Sequence, residues 1–572
     1  MTKIPVIDVF AGPGGLCEGF SRSNTSDVKF DIKLSIEKDP VAHRTLLLRA
    51  FYRKFESNNV PDEYYEYLRG EITKEALFSK FPKEATDAER ETWCAELGKT
   101  SQIEVHKRIN NALGKSKNWL LIGGPPCQAY SMVGRSRMLG KIRDNLSDDV
   151  MQRIKNRVEA RYSGLSEEKF ENAISEEATR HAEYVFHKDH RHQLYKEYLE
   201  VVAAHQPSVF VMENVKGILS SKIKTRYVLD YILEDLRDPW QALDDKRKIE
   251  ISKPVKTHNY KIYSFVVEMP EPLGLGWPDF IINSEEYGVP QRRHRLILLG
   301  IRDDVKKRPN TLSKVSQPVT VEEVLGNLPK LRSHISRKSD RTLEWGEAVR
   351  SGVKNMLLPL INDKKTRAAI RSAVDNLADN HDVGGAFISG EYSLKGRLGS
   401  WLNDSRVGGV LHHRARGHMV SDLMRYLFAS AKAQTTGFSP TLYDFPIELL
   451  PNHKNTAGLL EGAGRKEKGV IFEDRFRVQV AGKPATTITS HISKDGHYYI
   501  HYDPSQCRSL TGREAARLQT FSDNYFFEGN RTEQYHQIGN AVPPYLAFQL
   551  AGVVADVMKP TRVTTKKNGG CS

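Results

Sequence analysis

Through the first three hundred residues, short apolar runs alternate with longer segments in which apolar residues recur at helical spacing, the pattern of a parallel sheet with crossover helices. The runs Val6 to Phe10, Ile32 to Ile36, Trp119 to Ile122, Val209 to Met212 and Leu296 to Leu299 predict strands, and Tyr260 to Val267 predicts another between the last two. Leu194, Tyr198, Leu199 and Val202 recur at helical spacing, so a helix should precede the strand at Val209, with Pro207 marking where it has ended. Two charged, weakly apolar stretches, about 51–117 and 137–188, interrupt the alternation and read as helical insertions on the periphery of the sheet. After Ile301 the alternation stops, and a region rich in Gly, Arg and His with irregular apolar spacing runs to about Ser505. Thr511 and Glu514 then open a helix, an apolar helix follows Pro544, and the tail from Thr564 carries no pattern. The expected organisation is an α/β domain with a mostly parallel sheet over 1–305 and a smaller, irregular domain over 306–505. A return to the first domain over 506–560 and a disordered tail over 561–572 complete it.

Composition narrows the class. A chain of 572 residues exceeds one ordinary hydrophobic core, so two domains or one domain with large insertions are expected. Apolar runs fall short of the ~20 residues that span a bilayer, and the first residues lack the basic-then-apolar layout of a signal peptide, so an intracellular protein is expected. Five cysteines without a CxxC pair speak against a disulfide framework or a structural zinc site, so any functional cysteine acts alone. The net charge of +14 suits a polyanionic partner, although charge alone fits a solvated surface equally well. Lys330, Arg332, Arg337, Lys338 and Arg341 cluster, and Arg397, Arg406, Arg414 and Arg416 follow. HHRARGH has the histidines for a metal site, but arginines stand between its ligands, and the expectation is a DNA-facing or plain surface segment.

Three segments carry candidate chemistry. DVFAGPGGL, Asp8 to Leu16, is a strand running into a glycine-rich turn and a helix, where backbone N–H groups and close approach favour a ligand. Cys17 stands where a dinucleotide fingerprint wants its third glycine, and Glu37 follows about twenty residues after the turn. A ribose-bearing cofactor without a pyrophosphate fits this pattern, the alternative being a tight turn beside a surface acid. In GGPPCQ, Pro125 and Pro126 remove two donors and hold Cys127 in a fixed loop at the carboxyl edge of a strand. A lone cysteine is ordinarily a small packing residue. Yet VFVMENVKG places Glu213 and Asn214 at the end of a neighbouring strand, and QRRHR supplies Arg293 and Arg295, which strand alternation would put on one face. Thiol, carboxyl and guanidinium together suit attack on an electron-poor ring.

With these residues in view, the chain resembles the cytosine-5 DNA methyltransferases of bacteria and phages. The matching blocks are DVFAGPGG, PPCQ, ENV, QRRHR, RSLTGREAARLQTF and QIGNAVPP, in the family's order; 306–505 lies where the family keeps its target-recognition domain. The resemblance implies a Rossmann-like methyltransferase domain that binds S-adenosylmethionine through Phe10, Gly12, Gly14, Gly15, Leu16, Glu37, Pro125, Leu194, Asn540 and Ala541, with Glu71 as the nearest acid for the adenine amine. It implies Cys127 as the nucleophile at carbon 6 of a flipped cytosine, Glu213 at ring nitrogen 3 and Arg295 near the base carbonyl, with Arg293 a further catalytic candidate. No metal is implied. Expected partners are double-stranded DNA and a cognate restriction endonuclease acting on the same site, the enzyme itself being a monomer without membrane contact in the cytoplasm of a prokaryotic or phage-infected cell. Two other readings are a tRNA cytosine-5 methyltransferase, against which the long second domain speaks, and a regulator with decayed catalysis, against which Cys127, Glu213 and Arg295 speak.

Overall fold

The computed structural model describes residues 1–572 except 24, 26, 57, 127–145, 163–165, 189–193, 224–225, 252–253, 269–275, 337–341, 452–472, 495 and 561–572. The expectations for Cys127, Arg337, Lys338, Arg341 and the tail lie outside the described residues.

A sheet of eight described strands forms the centre: β1 (Thr2–Val9), β2 (Val28–Glu37), β3 (Thr92–Cys94), β4 (Leu120–Gly123), β5 (Val209–Val215), β6 (Tyr260–Tyr263), β7 (Ile281–Asn283) and β8 (His294–Arg302). Their order is β3-β2-β1-β4-β5-β8-β6, with β7 pairing β8 beside β6. The first five pair in parallel, whereas β8 runs antiparallel to β5, β6 and β7. The sheet is α/β and mostly parallel, as the alternation predicts.

Alternation of side chains sorts the core into two layers. Ile7, Val9, Leu34, Ile36 and Leu121 pack under the helices Gln102–Leu113, Leu194–His205 and Val228–Arg237. Ile4, Val6, Ile32, Leu120 and Ile122 pack on the opposite face under Gly15–Arg22 and Pro544–Met558. Those two helices touch closely: a Cβ at Gly15 would lie 2.2 Å from the Val542 carbonyl oxygen, and one at Gly19 would lie 2.4 Å from the Ala547 Cβ. Arg531–Met558 has the length and composition of a membrane-crossing segment, but 72% of its most apolar stretch is buried inside the protein and Pro543 and Pro544 divide it into two helices.

The organisation along the chain departs from the expectation at three places. The stretch 51–117 is not all insertion, because it contributes β3 and the helix Gln102–Leu113 to the central sheet and its core; only the small helices Asp62–Arg69, Lys74–Lys80 and Pro82–Glu91 stand apart. A three-residue edge strand is too short to show a period. The region 306–505 is substantially helical, with Thr342–Gly352, Lys364–Asp375 and Val420–Thr436 packed into a core of their own. Residues 510–541 join Val321, Leu325, Trp401, Ala485 and Tyr499 in a core with the second region, so the return to the sheet is made chiefly by Pro544–Met558.

The histidines of HHRARGH are neither DNA-facing nor surface groups: His412, His413 and His418 are all buried. His412 Nε2 accepts from the Phe527 N–H at 3.0 Å, and His413 bridges Thr511 Oγ1 at 2.8 Å and the Pro329 carbonyl at 2.9 Å. Burial drives the pKa of His413 down to about 4, so it joins these backbones as a neutral ring. The basic cluster is also partly interior. Arg332 is buried and Arg416, half-buried, donates to the Ile492 carbonyl, whereas Arg397 and Arg406 stay exposed, meeting the Gln317 carbonyl and Asp62.

Candidate active site

Parallel pairing brings the carboxyl ends of β1, β4 and β5 side by side, with Val9 opposite Gly123 and Gly123 opposite Met212. The loops leaving that edge are the glycine turn after β1, the Gly124–Pro125 segment after β4 and the Glu213–Asn214 end of β5. Ligands bind open α/β sheets at such an edge.

At the first of these loops the chain turns sharply, with positive φ at Phe10 (59°), Gly12 (59°) and Gly14 (95°). The turn is held from β2: Glu37 Oε2 accepts from the Gly12 N–H at 2.7 Å and Glu37 Oε1 from the Asp39 N–H at 2.8 Å. Burial raises the Glu37 pKa, and the two N–H donors oppose that rise. A Cβ on Gly12 would meet nothing within 4 Å, so the turn borders open space, and the helix Gly15–Arg22 begins without a side-chain cap on its first N–H groups. Space beside Gly12, uncapped N–H groups at the helix start and a carboxylate at the end of β2 fit a ribose-bearing cofactor. Cys17 is fully buried and its thiol meets Asp8 Oδ2 at 2.8 Å; burial pushes the Asp8 carboxyl up to about 7 and the thiol well above its ordinary range. Cys17 is therefore a core group rather than a ligand of this turn.

The remaining predicted cofactor residues divide. Leu16, Pro125, Leu194 and Ala541 are buried, whereas Asn540 is exposed and meets His536 Nδ1 at 3.2 Å. Glu71 lies on the loop between Asp62–Arg69 and Lys74–Lys80, where Arg69 occupies both carboxylate oxygens at 2.7 and 2.9 Å. The acid that the sheet carries to the edge beside Glu37 is Glu96, because Cys94 pairs with Glu37 and the Ala95 N–H donates to the Glu37 carbonyl at 2.9 Å. The Glu96 carboxylate meets Lys99 at 2.9 Å and Lys38 at 3.6 Å, so position rather than a free carboxylate distinguishes it from Glu71. Sequence reasoning missed it because it missed β3.

The second cluster depends on the reversal of β8. In an all-parallel sheet the start of β8 would sit at the opposite edge from Glu213. Running antiparallel, β8 sets Arg295 opposite Val215 and Ile297 opposite Glu213, so Arg295 Nε lies 2.9 Å from Glu213 Oε1. Both side chains are about one-eighth exposed. Burial lowers the Arg295 pKa and Glu213 opposes this. Gly124 presses on the same carboxylate, since a Cβ there would stand 2.9 Å from Glu213 Oε2, and Asn214 Nδ2 donates to the Pro125 carbonyl at 3.4 Å. The loop that leads to Cys127 is thus fixed against Glu213 up to the last described residue.

Arg293 does not share a face with Arg295. Its N–H turns back to the Gln291 carbonyl at 3.0 Å, which breaks the strand geometry just before β8 begins at His294. The guanidinium is 2% exposed and donates to the Ile488 carbonyl at 2.6 Å and the Gly539 carbonyl at 3.1 Å. It joins the strand that carries Arg295 to the second region and to the segment before Asn540.

A family profile described as C-5 cytosine-specific DNA methylase matches residues 68–158, 185–239 and 254–555. The chain belongs to the C-5 cytosine-specific DNA methylase family. This methylase is 31% identical to a type II methyltransferase of Bacillus paralicheniformis over 97% of its own length and 99% of that protein. It is 25% identical to a type II methyltransferase of Desulfomicrobium norvegicum, over 96% of this chain and 87% of the other. A DNA (cytosine-5-)-methyltransferase of Aeropyrum pernix is 26% identical over 64% of this chain and 76% of its own. The methylase is accordingly a DNA cytosine-5 methyltransferase, with a methyl donor of the S-adenosylmethionine type and DNA as its substrate.

Proposed function

We propose that the enzyme transfers a methyl group to carbon 5 of cytosine within one specific duplex sequence, flipping the base out of the stack and adding Cys127 to carbon 6. The observation that carries this reading is the Glu213–Arg295 pair, set at the carboxyl edge against Gly124 and Pro125, two residues before the thiol. Phe10, Gly12, Gly14, Gly15, Leu16, Glu37, Pro125, Leu194, Asn540 and Ala541 would hold S-adenosylmethionine, with Glu96 in the place first given to Glu71. Bound there, it supplies an electrophilic sulfonium methyl. Cys127 as thiolate forms the bond to carbon 6, and Glu213 as a carboxylic acid gives its proton toward nitrogen 3. Arg295 supports the base carbonyl. The electron pair released to carbon 5 takes the methyl as the S–CH3 bond breaks with its pair left on sulfur; the carbon 5 proton then leaves to a base, nitrogen 3 returns its proton to Glu213, and elimination restores the thiolate.

A duplex cytosine is out of reach of a fixed loop, and extrusion costs a few kcal/mol, offset by pocket contacts and by cations on phosphate. The region 306–505 reads the sequence, the enzyme acts as a monomer, and a cognate restriction endonuclease cutting the same site is its partner. Bisulfite sequencing of DNA from cells expressing the protein should show one methylated motif. Cys127→Ala should bind cofactor and remain folded with no methyl transfer; normal incorporation by that variant would remove Cys127 from the mechanism. Exchanging about 330–476 for the equivalent region of a relative with another specificity should redirect methylation while cofactor binding persists, and an active chimera faithful to the original motif would place recognition elsewhere.

A further inference from the structure

The helices Asp62–Arg69, Lys74–Lys80 and Pro82–Glu91 have no place in the sheet, yet their inner side is not idle. Tyr64, Tyr65, Leu68, Leu77, Ala85 and Ala88 form one apolar core with Leu48, Ala50 and Phe51 of the helix Pro40–Tyr52 on the catalytic side and with Val407 and Leu411 of the second region, and Phe387 packs at its margin. Val407 ends the turn Ser405–Val407, Leu411 lies in the strand Gly409–Arg414, and Phe387 lies in its hairpin partner Gly384–Ser389. The insertion therefore packs on the hairpin and not only on the domain that carries it.

The polar contacts converge on the same hairpin. Asp404 Oδ1 accepts from the Arg406 N–H at 3.1 Å and so caps the turn before the strand. Asp404 Oδ2 accepts from the Tyr65 hydroxyl at 2.9 Å and from Asn524 Nδ2 at 2.7 Å. One carboxylate thus ties the insertion, the hairpin turn and the C-terminal block together. The Arg406 guanidinium lies 4.4 Å from the centre of the Tyr65 ring and 2.6 Å from Asp62 Oδ1. A parallel tie runs from the Tyr67 hydroxyl to Glu528 Oε1 at 2.7 Å. Exposed ion pairs such as Arg406–Asp62 contribute little, so the directional hold rests on the Tyr65–Asp404–Asn524 bonds over the buried aromatic face.

We propose that residues 62–91 form a brace that positions the second region for DNA, with Tyr65 and Asp404 as its positioning residues. This rests on the reading that 306–505 engages DNA. Loosening the brace lets the hairpin populate orientations that do not bind, and apparent DNA affinity falls with the competent fraction while the chemistry at Glu213 is untouched. Paired variants test it. Tyr65→Phe with Arg406→Ala should raise the KM for DNA about five- to tenfold and increase methylation at near-cognate sites, with kcat and S-adenosylmethionine affinity held within twofold. Tyr65→Phe alone should raise it about threefold, and Asp404→Asn added to Tyr65→Phe should give less than the product of the two single effects, because both break one bond. The isosteric Tyr65→Phe keeps the test decisive should the double variant unfold. Wild-type KM for DNA and wild-type site fidelity in folded Tyr65→Phe and in the double variant would overturn the brace, as would a matching loss of cofactor affinity, which would make the insertion a support of the catalytic domain. Failure of the DNA reading itself would show separately, in a region exchange that leaves the motif unchanged.

Discussion

Two carboxylate–guanidinium pairs in this molecule differ in how deeply they are buried and in how completely their atoms are used. In the C-terminal block, Arg508 donates to both oxygens of Glu514 at 2.6 and 2.8 Å, to Gln506 Oε1 from two nitrogens and to the Ser509 carbonyl. Glu514 Oε2 accepts from the Thr511 N–H as well, completing a capping box on Gly512–Leu518, and both residues are 1% exposed. At the sheet edge, by contrast, one contact at 2.9 Å joins Arg295 to Glu213, and among the described residues Glu213 has no other polar partner. A pair whose lone pairs and protons are all taken can only hold structure. One that keeps an oxygen and guanidinium donors for an incoming ring can do chemistry.

Breaking the saturated pair should have the largest effect. Glu514→Gln leaves Arg508 buried without its counter-charge, so unfolding free energy should fall by about 3 to 5 kcal/mol in a denaturant titration. A drop under ~1 kcal/mol would show that the pair is not structural. Its pH dependence has a fixed sign. Arg508 holds the Glu514 carboxyl well below the usual carboxylate range despite its burial, so the stabilisation is whole above about pH 4.3 and is lost as the pH falls toward the depressed folded value. Acid titration of Glu514→Gln should lack that component.

The open pair should show the reverse pattern. Glu213→Gln should lower kcat about a hundredfold or more, equivalent to about 2.7 kcal/mol, with the denaturant midpoint and cofactor affinity nearly unchanged. Equal losses of stability in Glu213→Gln and Glu514→Gln would erase the distinction between the two pairs. Smallest is Arg295→Lys: it keeps the charge but loses the planar fork, and should cost about tenfold in kcat with little change in stability.

The sheet edge was readable because each candidate segment is tied to a local signal: glycines where φ is positive, two prolines after β4, and an acid at the end of an apolar run. What escaped depended on partners distant in the chain. The direction of β8 decides whether Arg295 reaches Glu213, and a strand's direction leaves no mark in its own alternation. Arg293 and Arg295 look equivalent in QRRHR, yet a turn at Gln291 sends one to carbonyls at Ile488 and Gly539 and the other to the carboxylate. His412, His413 and His418 sit among arginines and read as DNA-facing or surface, but Arg414 turns outward and Arg416 to a carbonyl while the rings pack against Phe527, Thr511 and Tyr426 in turn. The edge strand β3, with Glu96 after it, was too short to stand out from the charged stretch around it.

The contact between the first helix and the last carries a consequence for how the protein is made. The Tyr525 hydroxyl bonds the Pro13 carbonyl across 512 residues of chain, and Gly15 abuts Val542. Ribosomes add roughly 5 to 20 residues per second, so the glycine turn emerges about 25 to 100 s before its supports exist. Once Arg302 completes β8, the nascent chain can hold a sheet whose face beneath Pro544–Met558 stays uncovered until those last residues are translated.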